Sequence, residues 1–178
     1  AGRLPGADSI DDFWQMIVEG REGITFFPPD ALDPTIDPAL RGNPNYVPAK
    51  GVVKDADCFD AQFFGISPME AWVMDHQQRL SLEVCWHALE DAAVTSESFD
   101  GLIGVYAGSN WNRYRTTNLA GTETEARYGA FNTSLANEQE FLATRIAYKL
   151  DLRGPAITVS SACSTSLVAI AEACKALF

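Results

Sequence analysis

The chain reads as a mixed α/β protein on three observations. Residues 102–108, Leu102-Ile103-Gly104-Val105-Tyr106-Ala107-Gly108, form an apolar run ending in glycine, which predicts a buried strand. Residues 156–159, Ala156-Ile157-Thr158-Val159, form a second, partly β-branched run just after the punctuation of Gly154-Pro155. Helical periodicity flanks both runs, so strands and helices are both expected.

Taken in order, residues 2–6 read as a loop, and Ser9 then caps a helix with Asp12 three residues on. Phe13, Met16 and Ile17 are its expected apolar face, and Gly20 its stop. Residues 23–56 hold six of the nine prolines and read as a long loop. In residues 55–65 alternating aromatics predict a segment packed on a core, with Cys58 as a small buried hydrophobe. Ser67-Pro68-Met69-Glu70 supplies a cap, a first-turn proline and a first-turn acid, which predicts one helix running to about Ala93. Residues 109–136 are polar and aromatic without a clear period. Trp111, Tyr114, Tyr128 and Phe131 suit ordinary packing better than a dimer contact or an acyl channel. Asn137 is the expected cap of a helix with Glu138 and Glu140 early, Arg145 and Lys149 late, and Leu142, Ile146 and Leu150 as its inner stripe.

The most informative stretch is residues 156–177. After the strand come small residues, then Cys163, with Leu167, Ile170, Cys174 and Leu177 at i+4, i+7, i+11 and i+14, one helix face. Cys163 is therefore expected where a strand turns into a helix, at or near the first helical turn. Unpaired N–H groups and partial positive charge there stabilise a thiolate, the nucleophilic form of cysteine. An ordinary thiol, with a pKa of about 8.5, needs roughly 2 kcal/mol to reach half ionisation at neutral pH. A helix terminus supplies about 0.3–1 kcal/mol, and up to about 2 in partly buried geometry. The same N–H groups, that of Cys163 included, are candidate donors to an oxyanion. Spacing alone leaves open a plain core cysteine in line with its helix's apolar stripe.

Net charge is −11, which opposes binding to nucleic acid or anionic membrane. Four scattered cysteines without a Cys-x-x-Cys pair or a Cys/His cluster argue against a metal site. With no secretory signal and no spanning apolar run, a reducing, cytoplasmic setting is expected. His76 and His87 lie roughly 16 Å apart along one helix, so they cannot both serve one thiol, and neither is assigned a catalytic role. The sequence starts at Ala1 and stops at Phe178 within an amphipathic pattern; it is expected to be a single region, residues 1–178, cut at both ends, with no second domain.

The segment Cys163-Ser164-Thr165-Ser166-Leu167-Val168-Ala169 closely resembles the active-site signature of β-ketoacyl synthases of polyketide synthases. Ser160-Ser161 stands where that family commonly has Asp-Thr or Gln-Thr, a departure beside the nucleophile that bears on the acyl pocket. Met74-Asp75-His76-Gln77-Gln78-Arg79 is a second match, with His76 in place of the family's proline, a change expected to smooth the helix locally. Gly104-Val105-Tyr106-Ala107-Gly108 matches the family's strand, and residues 141–155 are a third matching block. The resemblance implies the N-terminal part of a thiolase-like, layered α/β fold that dimerises. It implies Cys163 as acyl-accepting nucleophile, with no cofactor bound directly, and decarboxylative condensation with a malonyl unit. The partners it implies are acyl and malonyl thioesters on the phosphopantetheine of an acyl carrier protein. The family's catalytic histidines lie downstream of the cysteine, beyond this sequence, so the 178 residues alone are expected not to condense malonyl units. Two rivals are a catalytically silent dimerisation or docking module and a thiolase-superfamily enzyme using coenzyme A thioesters.

Overall fold

The computed structural model describes all 178 residues and divides them into two compact units, Ala1–Asp55 and Ala56–Phe178.

In the first unit, helix α1 (Ile10–Val18) begins as expected, with Ser9 Oγ accepting from the Asp12 N–H at 3.0 Å. Its buried residue is Met16; Ile17, expected on the inner face, is 52% exposed. The proline-rich region is not one long loop. Strands β1 (Ile24–Phe26) and β2 (Ala49–Gly51) pair antiparallel, with Ile24 opposite Gly51. Between them, helix α2 (Pro38–Arg41) is capped by Asp37, and Arg41 ties the preceding turn by donating to the carbonyls of Ile36 and Pro34, both at 3.0 Å. Three-residue strands carry too little alternation to stand out among prolines.

In the second unit, the expected single helix from Ser67 to Ala93 is two: α3 (Pro68–Val73) and α4 (His76–Asp91). Met74 is extended (φ −79°, ψ 133°), and Asp75 starts α4 by accepting from the Gln77 N–H at 3.1 Å. Loss of the proline at His76 does not smooth the helix, because the break is held by Asp75 and by burial of Met74, not by a missing N–H. The Val73 carbonyl released by the break accepts from Asn137 Nδ2 at 2.7 Å, and the Ala136 carbonyl accepts from the Asp75 N–H at 3.0 Å. Asn137 is thus a buried brace between segments rather than the cap of the next helix. Replacing it by alanine strands the buried Val73 carbonyl, and we expect a loss of about 1–3 kcal/mol, read from the urea midpoint.

Strands β3 (Val105–Ala107) and β4 (Ala156–Thr158) pair in parallel, Val105 opposite Ala156. Parallel neighbours need a long crossover. It contains helices α5 (Glu123–Tyr128), α6 (Ala130–Leu135) and α7 (Leu142–Lys149). Neither α5 nor α6 shows in the aperiodic stretch 109–136. Helix α7 buries Leu142 and Ile146 against both strands and against α4, with Leu150 just beyond, as its stripe predicts. Arg145 on α7 pairs with Glu70 at the start of α3 at 2.6 Å.

The Arg115 guanidinium, donating to Glu125 at 2.9 Å, holds that carboxyl below the usual carboxylate range, helped by the Gly121 N–H. A folded-state pKa below the unfolded one contributes stability above the unfolded value of about 4.3, and loses it as pH falls through the folded value. Glu125→Gln should therefore be less stable than the native chain at neutral pH, with the gap narrowing below about pH 4, as denaturant melts at three pH values will show.

Candidate active site

Strand β4 carries the chain to Val159, whose N–H donates to the Ala107 carbonyl at 2.8 Å, extending the ladder one residue. Ser160 and Ser161 leave the sheet, and Ala162 turns sharply with φ +50°. Ala162–Ser164 form one tight 3₁₀ turn, and helix α8 (Thr165–Lys175) follows. Cys163 sits in the middle of that turn and is exposed, at the predicted strand-to-helix handover, two residues before α8 begins. A left-handed alanine costs about 1–2 kcal/mol, and local hydrogen bonds offset it here. The Ser161 N–H donates to Thr165 Oγ1 at 2.9 Å, Thr165 Oγ1 donates to the Ala162 carbonyl at 2.8 Å, and Ser164 Oγ donates to the Ser161 carbonyl at 2.8 Å. The turn's backbone bonds employ the N–H groups of Ser164 and Thr165, which follow the cysteine.

The expected core stripe of this helix is overturned. Leu167 is 71% and Ile170 59% exposed, Cys174 and Leu177 are exposed as well, and the buried residue of α8 is Ala169. The helix approaches β3 through small residues. A Cβ on Gly108 would lie 2.1 Å from Thr165 Cγ2 and 2.5 Å from the Val159 carbonyl oxygen. Cys163 therefore does not belong to a buried stripe. The thiol opens on a cleft of about 710 Å³ whose walls include Gln77, Gly108, Asn110, Trp111 and Gln139.

Cleft-wall residues that the sequence did not single out are held by an amide network. Gln77 Oε1 accepts from the Asn110 N–H at 3.0 Å, while its Nε2 donates to Asp75 Oδ2 at 3.0 Å and to the Asn110 carbonyl at 3.2 Å. Gln139 Nε2 donates to the same carbonyl at 2.6 Å. This fixes the loop that presents Trp111, 83% exposed, on the wall of the cleft that Cys163 also lines. The other aromatics of that stretch divide: Tyr114 donates to the Trp72 carbonyl at 2.8 Å, Tyr128 is half-buried, with burial raising its hydroxyl's pKa, and Phe131 is exposed.

Neither histidine lines the cleft. His76, first residue of α4, is half-exposed beside Asp75 at 3.4 Å, and His87 meets Glu90 at 2.9 Å. Cys58 is exposed rather than buried; Phe59 and Phe64 fill that part of the core, stacked 5.3 Å apart. Burial pushes the Cys85 thiol up, which keeps it protonated and inert at neutral pH. No helix is long and apolar enough to cross a membrane.

Among solved structures, this chain is similar to ketosynthase twelve from the bacillaene polyketide synthase of Bacillus amyloliquefaciens, with a TM-score of 0.82 and 34% identity over 98% of this chain and 29% of that one. An α/β scaffold of that shape is the N-terminal part of a thiolase-like fold. All of residues 1–178 match the family model for the β-ketoacyl synthase N-terminal domain. A phenolphthiocerol/phthiocerol polyketide synthase protein of Mycobacterium tuberculosis is 40% identical over 99% of this chain, and component PikAII of the pikromycin polyketide synthase of Streptomyces venezuelae is 42% identical over 99%. The chain belongs to the β-ketoacyl synthase family. It spans 12% of the first of these relatives and 5% of the second.

Proposed function

We propose that Cys163 is the acyl-accepting nucleophile of a polyketide-type ketosynthase. The observation that carries this reading is an exposed thiol on a strained strand-to-helix turn, opening on a cleft walled by a fixed loop. The Cys163 thiolate attacks the carbonyl carbon of an acyl thioester on the phosphopantetheine of an acyl carrier protein. The resulting oxyanion is met by the Cys163 N–H. Collapse breaks the old C–S bond, the pantetheine sulfur leaves and takes up a proton, and an acyl-cysteine remains. Trp111 offers an apolar surface beside the growing chain.

In the intact protein, which works as a cytoplasmic homodimer under this reading, a malonyl thioester then loses carbon dioxide. The electron pair of the broken C–C bond attacks the acyl carbon and expels the Cys163 thiolate, leaving a β-ketoacyl chain on the carrier. These 178 residues perform the first half alone, because no histidine lines the cleft. Mixing the chain with an acyl-pantetheine thioester should release one equivalent of pantetheine thiol per chain. Adding malonyl-pantetheine should then release no carbon dioxide. Absence of the thiol burst overturns the nucleophile assignment, and carbon dioxide release overturns the division of labour.

The silent-module alternative predicts no burst. The coenzyme A alternative predicts faster transfer from acyl-coenzyme A than from a carrier-bound acyl group.

A further inference from the structure

We propose that Thr165 is a positioning residue for the Cys163 thiol, an inference that rests on the nucleophile reading above. Its hydroxyl closes a small ring around the strained turn. It accepts from the Ser161 N–H at 2.9 Å on one side of Ala162 and donates to the Ala162 carbonyl at 2.8 Å on the other. Ala162 is held at φ +50° between those two bonds, and Cys163 is the next residue. The φ of Ala162 sets the direction in which the chain enters Cys163, so it sets where the sulfur points. The methyl of the same side chain does a separate job. Thr165 Cγ2 occupies the space that a Cβ on Gly108 would need, 2.1 Å away, and so seats the turn against the end of β3. One side chain therefore ties the turn to itself through oxygen and to the sheet through carbon. Ser164 Oγ also closes across Ala162, donating to the Ser161 carbonyl at 2.8 Å, but the Ser161 N–H and the Ala162 carbonyl meet Thr165 Oγ1.

The two jobs can be separated by substitution. Thr165→Val keeps the branched shape and removes the hydroxyl; Thr165→Ser keeps the hydroxyl and removes the methyl. The probe is iodoacetamide, and the readout is the alkylation rate of each cysteine-bearing peptide by mass spectrometry. Cys58 and Cys174, both exposed, serve as internal references. Thr165→Val is expected to slow Cys163 alkylation about tenfold, with the references within about twofold, since it removes both hydrogen bonds of the hydroxyl and leaves the Ser161 N–H without its partner. Thr165→Ser is expected to stay within about twofold of the native rate. If Thr165→Val does not fold, as judged by circular dichroism, the pair Thr165→Ser and Thr165→Ala, which differ only in the hydroxyl, should show the same tenfold ratio.

A Thr165→Val rate equal to the native one overturns the inference. Equal losses in Thr165→Val and Thr165→Ser overturn it too, since they assign the residue to packing. Transfer from the acyl-pantetheine thioester is measured on the same samples. If the native chain takes no acyl group while the hydroxyl still governs alkylation, the proposed function fails and the positioning role stands. If the native chain is acylated and Thr165→Val is acylated and alkylated as fast, the positioning role fails and the function stands.

Discussion

Gly108→Ala should destabilise the chain by about 3 kcal/mol and slow acyl transfer to Cys163 by about tenfold or more. The new Cβ would sit 2.1 Å from Thr165 Cγ2 and 2.5 Å from the Val159 carbonyl oxygen. The first contact is with a side chain held by two hydrogen bonds, and the second is with backbone just past β4, so neither yields cheaply. Relief requires α8 to move away from β3 or β4 to slide, and both moves carry the turn that holds Cys163. Gly121→Ala is the control. Gly121 has φ +74°, and a Cβ there would meet nothing within 4 Å, so alanine costs only the left-handed penalty of about 1–2 kcal/mol and leaves the cysteine untouched. Urea midpoints together with thiol-release rates check both variants. Gly108→Ala within about 0.5 kcal/mol of the native chain would mean that the close approach of α8 to the sheet is not a constraint.

Cys163→Ala should abolish acyl uptake while leaving the fold intact. Removing the nucleophile of a covalent catalyst costs on the order of 10⁴-fold or more in rate. The side chain is exposed, so its truncation should change stability by no more than about 0.5 kcal/mol. Circular dichroism and the urea midpoint verify the second half of that expectation, and the thiol burst the first. Cys58→Ala and Cys174→Ala, at exposed positions away from the turn, should leave the burst unchanged.

The sequence announces the cysteine turn through local signals: Gly154-Pro155, a short apolar run, small residues, then helical spacing. The structure keeps all of these. Four features are illegible for distinct reasons. The periodicity of Leu167, Ile170, Cys174 and Leu177 says that they share a face but not whether this unit covers it, and it does not. The break at Met74 is hidden because apolar residues run through it in helical spacing, although Asp75 is a good and readable cap. The left-handed Ala162 carries no glycine or asparagine to mark it, because the conformation is imposed by Thr165 three residues on. The loop that walls the cleft depends on Gln77 and Asn110, 33 residues apart, and no local pattern reports such a contact. Thr122, whose Oγ1 accepts from the Glu125 N–H at 3.3 Å, caps α5, but no apolar period follows it to mark the helix.

The most direct test maps where an acyl group settles when the native chain meets an acyl-pantetheine thioester at neutral pH. Cys58, Cys163 and Cys174 are all exposed, so accessibility alone does not favour one of them. After digestion, mass spectrometry should find the acyl mass on the Cys163 peptide and leave the peptides of Cys58 and Cys174 unmodified. An even spread over the three thiols, or an unmodified Cys163, would contradict the assignment of this turn as the acylation site.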